Sequence, residues 1–130
     1  MKRILIPICI GALFCIAACT GQGDRLTHSS ARRAAERYFT MLIDGHYDEY
    51  VDGLVGSDSM ADDMRSQMTD LLAQFMAQQR VKRELLRVEA TADSLLDSTA
   101  YVYLDILYGD SASEQVGMSL RFVGDRWRMQ

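Results

Sequence analysis

Proline is almost missing from this chain. Pro7 is the only one in 130 residues, so beyond it no fixed φ bars helix or sheet. Cysteine is confined to Cys9, Cys15 and Cys19. From residue 20 onward there is therefore no disulfide, no Cys-based metal site and no thiol nucleophile. Histidine is limited to His28 and His46, which share no metal-ligand spacing, so zinc has nothing to rest on. No glycine-rich phosphate loop and no nucleophile elbow occurs. Basic residues are the minority, 14 Lys and Arg against 18 Asp and Glu. That balance argues against nucleic acid, which needs a basic footprint. The longest apolar run, Ile4 to Ala18, is 15 residues, short of the roughly 20 that span a bilayer as a helix.

What is there begins with that run. Lys2 and Arg3 precede it, and small residues close it, the layout of a secretory signal peptide. It ends Ile16-Ala17-Ala18-Cys19, which resembles the lipobox of bacterial lipoproteins. Ile in place of Leu at Ile16 is a mild departure. Cys15 is a poorer match, because the large Phe14 stands before it. The resemblance implies that the Cys19 thiol takes a diacylglycerol, that the chain is cut before it, and that the new amine is acylated. Several acyl chains hold a protein at a membrane where one holds weakly. The expected organisation is a signal peptide over 1–18, a lipidated cysteine and tether over 19–28, and one domain over 29–130 in the bacterial cell envelope. Without Lys2 and Arg3 the basic side chains fall from 14 to 12 against 18 acidic ones, a formal charge of −6. No polybasic patch would assist the lipid.

The rest reads as three helical segments and then strands. Ser29 and Ser30 are N-cap types before a helix whose Ala31, Ala35, Tyr38 and Leu42 share a face, with Ala34 and Met41 beside them. Asp44-Gly45 stops it. A short helix follows over Asp48 to Val55. Ser57-Asp58-Ser59 is expected to cap a third, in which Met60, Met64, Met68, Leu71, Leu72, Phe75 and Met76 keep the 3.6 period. After Arg80 the period becomes two. Leu86, Val88 and Ala90 alternate with polar neighbours, and Asp93 to Ser98 reads as a loop. Val102, Leu104, Ile106 and Tyr108 form one apolar face; Val116, Met118, Leu120 and Phe122 form the next; Gly124-Asp125 marks a hairpin. Pairing Leu104 with Leu120 also pairs Ile106 with Met118 and Val102 with Phe122, and Phe122 then meets Trp127.

Ala35-x-x-Tyr38-Phe39-x-x-Leu42, the run Asp44-Gly45-His46-Tyr47-Asp48-Glu49-Tyr50 and the ending Gly124-Asp125-Arg126-Trp127-Arg128-Met129 resemble the nuclear transport factor two-like fold. This is the cone-shaped α+β superfamily that includes ketosteroid isomerase and scytalone dehydratase. The resemblance covers roughly residues 29–130 and implies helices packed on a curved antiparallel sheet around a pocket. The alternatives are a cystatin-like sheet wrapped on one helix and another α+β meander. The superfamily holds enzymes, binders and scaffolds, so fold alone names no activity.

The candidate interaction or pocket face is Tyr101, Tyr103, Asp105, Ser119 and Arg121. In the expected register Ser119 lies opposite Asp105, and Arg121 lies opposite Tyr103 and diagonal to Asp105, within ion-pair reach. Such a pair on an exposed face is worth at most about 1 kcal/mol. Tyr and Arg also suit interface centres. The methionines of the third helix serve as core or as an adaptable groove. The Arg80-Val81-Lys82-Arg83 run suits a helix C-terminus or an anionic partner. The function this points to is a lipid-anchored, non-catalytic module for a small ligand or protein. The rivals are an accessory or inhibitor subunit of an envelope complex, and an isomerase or dehydratase using a buried Asp105. No cofactor, metal or catalytic residue is expected. The expected partners are the membrane, a small-molecule or protein ligand, and a second copy of the chain.

Overall fold

The computed structural model describes residues 25–130. The signal peptide and the lipidation reading at Cys19 lie outside the described residues. Helix α1 runs His28–Asp44 and starts one turn earlier than the serines suggest. Thr27 is the N-cap: its hydroxyl accepts from the Ser30 amide at 3.1 Å, and Ser30 reaches back to the Thr27 amide at 3.2 Å. Ser30 is thus the far half of a capping box rather than the cap. His28, expected in the tether, is the first helical residue. Gly45, at φ 83°, closes α1 in the left-handed conformation that costs glycine nothing.

Helix α2 (Tyr47–Asp52), a 3₁₀ turn at Ser57–Ser59 and helix α3 (Asp62–Lys82) follow. The serines expected to cap α3 form the 3₁₀ turn instead, and the N-cap position falls to Ala61, which makes no side-chain cap bond. Four antiparallel strands, β1 (Leu85–Leu96), β2 (Thr99–Tyr108), β3 (Ser113–Val123) and β4 (Arg126–Met129), form a meander in the order β1-β2-β3-β4. The segment after α2 closes the β4 edge. Val55 donates to Met129 O and Met129 to Gly53 O, both at 2.8 Å, so the short edge is not left open.

The core lies between α1 and the sheet. Ala31, Ala34 and Ala35 are fully buried and let the helix backbone come close to Ala100, Val102, Leu104 and Leu120. Tyr38 and Trp127 lock the layers: Tyr38 Oη donates to Trp127 O at 2.5 Å, and Trp127 Nε1 donates to Ser30 Oγ at 2.9 Å. Phe122 packs edge-on against Trp127, as the hairpin at Gly124-Asp125 requires.

The β2–β3 register differs from the expectation by four residues. Leu104 faces Val116, Val102 faces Met118 and Ala100 faces Leu120. A slip of four keeps the same residues inward, so apolar alternation cannot detect it. The turn decides it. Tyr108 donates to Ala112 O at 3.0 Å, Asp110 Oδ1 accepts from the Ala112 amide at 3.0 Å, and Ser111 takes φ 70°.

Strand β1 is longer than expected and carries two irregularities, between Leu85 and Arg87 and between Ala90 and Ala92. The first turns Leu85 inward in place of Leu86, which is exposed. The second advances the pleat, so that Asp93, expected in a loop, pairs with Val102 and faces α1.

Candidate functional site

The concave side of the sheet leaves two adjoining hollows under the helices. The first, about 250 Å³, lies among α1, α3 and the sheet and is walled by Phe39, Phe75, Met76, Leu85, Ile106 and Val116. Its polar groups are Gln79 from α3 and, across from it, Tyr108 and Glu114. Tyr108 Oη donates to the Glu114 carboxylate at 2.7 Å. The second, about 220 Å³, lies under α2 among Tyr50, Leu54, Leu104, Met118 and Met129. Phe39 and Val116 line both hollows and separate them.

These positions follow from the local sequence. Phe39 comes from the flank of α1 beside Tyr38. Tyr50 is carried by the one and a half turns of α2. Val116 and Met118 alternate inward on β3. Burial pushes the Tyr50 phenol above its ordinary value. Among the described residues the Tyr50 hydroxyl has no hydrogen-bond partner. The Tyr108 phenol is also raised, first by burial and then by the hydrogen bond and charge of Glu114. The Arg83 guanidinium, 4.7 Å over the Tyr108 ring, opposes part of that. Both phenols are therefore neutral donors in apolar walls. A fixed carboxylate at the mouth of the larger hollow disfavours anions there.

Of the five residues read from the sequence, Ser119 borders the smaller hollow, and Tyr101, Tyr103, Asp105 and Arg121 line neither. Tyr101, Tyr103 and Asp105 point to the outer face of β2, away from the helices. Asp105 is half-buried between Glu89 and Gln115, its true cross-strand partners. Arg121 is opposite Thr99, six residues along β2 from Asp105, a separation of about 20 Å. Among the described residues no ion pair joins them, and the expected Asp105–Arg121 pair is corrected by the four-residue slip. Ser119 faces Tyr101, receives a hydrogen bond from Gln130 Nε2 at 3.1 Å, and borders the smaller hollow. Tyr101 and Tyr103 form an edge-on pair, centroids 5.1 Å apart, with Tyr101 lying over Gly117. An acid in a closed cavity is thus not what Asp105 supplies.

A second polar centre was missed by the sequence reading. The Asp93 side chain is almost fully buried and bonds both His28 Nδ1 and Arg32 Nε of α1. Burial pushes its carboxyl up, but the bonds and charges of His28 and Arg32 together outweigh this and hold it below the usual range. The signal that could have found it is the i, i+4 pair His28 and Arg32, with a lone acid in an otherwise inward-facing strand. Among the described residues no group of three His, Cys, Asp or Glu is arranged to hold a metal. No helix among them is long and apolar enough to cross a membrane.

The class these elements define is the α+β cone of the nuclear transport factor two-like fold. The crystal structure of a proposed NTF2-like transpeptidase from Campylobacter jejuni is similar, with a TM-score of 0.63 at 12% identity over 76% of this chain and 95% of that one. At that identity the likeness is one of fold. No family model matches the chain, and no curated protein does.

Proposed function

We propose that this protein is a non-catalytic binding module, tethered to the cell envelope through a lipid on Cys19, whose cone holds a small apolar molecule carrying one hydrogen-bonding group. What supports this reading is the pair of hollows walled by apolar side chains, with the partly buried Tyr50 phenol at one and the Tyr108–Glu114 pair at the other. A ligand carbonyl or hydroxyl seated there would pair with the Tyr50 hydroxyl, a bond worth about 0.5–1.5 kcal/mol net. Each hollow, at about 220 and 250 Å³, is smaller than the roughly 300 Å³ at which drug-sized pockets begin. A fragment-sized ligand fits either one, and rotation of Phe39 would join them for a longer one. Glu114 favours a neutral or cationic ligand.

Transpeptidation, the activity in the similar structure's name, is not carried over. Acyl transfer needs a nucleophile beside a base. No cysteine is among the described residues, and no serine or threonine hydroxyl among them bonds His28 or His46.

A neutral apolar fluorophore, N-phenyl-1-naphthylamine, tests the reading. Its emission should rise and saturate at one site, and Val116→Trp, which fills the partition between the hollows, should abolish the rise with the melting transition retained. An unsaturable rise that Val116→Trp leaves intact would sink the proposal. The anchor has its own check: Cys19→Ala should move the protein from the membrane fraction to the supernatant, and continued retention would contradict lipidation.

A further inference from the structure

Helix α3 exposes apolar side chains that nothing among the described residues covers. Met76 is buried and Leu72 half-buried against the body, but Met64, Leu71 and Phe75 are 54, 63 and 54% exposed. With the half-buried Met68 they form one stripe at spacings of four, three and four residues. That is the alternation of a left-handed two-helix seam. It also reads the same in both directions. Reversing it places Met64 on Phe75 and Met68 on Leu71.

Charge is divided along the same helix. Asp62 and Asp63 stand in its first turn, with Asp58 in the 3₁₀ turn before it; Arg80 and Lys82 stand in its last turn, with Arg83 at the C-cap. The macrodipole of one helix explains that division within a monomer. It does not explain an uncovered stripe.

We infer that α3 is a self-pairing surface: two copies of this chain dock α3 against α3, antiparallel about a two-fold axis passing between Thr69 and Asp70. Met64 then meets the partner's Phe75, and Met68 meets the partner's Leu71. Each acidic end lies beside the partner's basic end. A parallel pair would set acid on acid and base on base. A self-complementary patch on both copies is what a closed two-fold dimer requires. Phe75 is also a wall of the larger hollow, so the pair would lie against that wall. The seam is one helix wide, below the roughly 800 Å² per partner of stable interfaces, and the dimer is correspondingly weak and reversible.

Disulfide trapping in the full chain tests this. Two differently tagged variants, Met64→Cys and Phe75→Cys, are co-expressed, and lysate is treated with copper phenanthroline beside the parent chain. The mixed pair should give a band of doubled mass carrying both tags. Met64→Cys alone should not, because the two introduced thiols would lie about 16 Å apart along the seam. Leu71→Asp added to both chains should remove the band while the circular dichroism melt stays in place. A band from Met64→Cys alone shows a parallel pair and overturns the inference. So does a product only with foreign masses, which points to another protein, and so does no product at all. None of these outcomes depends on ligand binding in the cone.

Discussion

At the scale of single residues, the fold rests on a few polar contacts set into apolar packing. Tyr38→Phe removes the bond to Trp127 O, so it should cost about 0.5–1.5 kcal/mol in chemical denaturation. Gly53 presents the reverse case. A Cβ there would stand 2.2 Å from the Tyr38 ring, and that ring is fixed by its own hydrogen bond. Gly53→Ala should therefore destabilise by roughly 1–3 kcal/mol through overpacking. A neutral result for either would show that Tyr38 is not the lock between helix and sheet.

Asp93 makes a pH prediction. Its carboxyl titrates below the unfolded value because His28 and Arg32 outweigh its burial. Its contribution is complete above about pH 4, where an unfolded aspartate ionises, and is lost as pH falls through the lowered folded value. Melting curves of the parent chain should fall more steeply below that pH than those of Asp93→Asn. Parallel curves would contradict the ion-pair reading.

At the scale of elements, the sequence predicts well wherever one face is buried and the pleat is regular. The α1 face, the inward row of β2 and the Gly124-Asp125 hairpin are all realised, because each repeats one period against one partner. Three features escape that logic for different reasons. The β2–β3 slip of four residues preserves every inward side chain, so only the Asp110–Ser111–Ala112 turn distinguishes the two registers. The irregularity at Ala90/Ala92 changes phase within β1, and periodicity cannot foresee it. The apolar arc of α3 is wider than the surface beneath it, so Met64, Leu71 and Phe75, three of the seven apolar residues in the stripe, are exposed. The first of these misplaced the candidate site, since it moved Arg121 away from Asp105. The outer face is then an open surface. Tyr103→Ala, removing one half of an exposed ring pair, should leave the melting temperature within about 2 °C, as surface changes do. A large drop would mean the tyrosine pair is structural.

At the scale of the whole molecule, a helical layer closes over a curved meander and leaves two hollows that Phe39 and Val116 divide. The helices and the sheet were legible in the residues; the hollows were not, because they arise where α2, α3 and the sheet fail to meet. The proposed binding site rests on their chemistry: apolar walls, a partly buried phenol, and a carboxylate at the larger hollow. The measurement that reaches this claim most directly is native mass spectrometry of the protein purified gently from its own source. The account predicts a reproducible extra mass, smaller than a typical drug, that Val116→Trp removes. A clean mass of the protein alone, unchanged by that substitution, would contradict it.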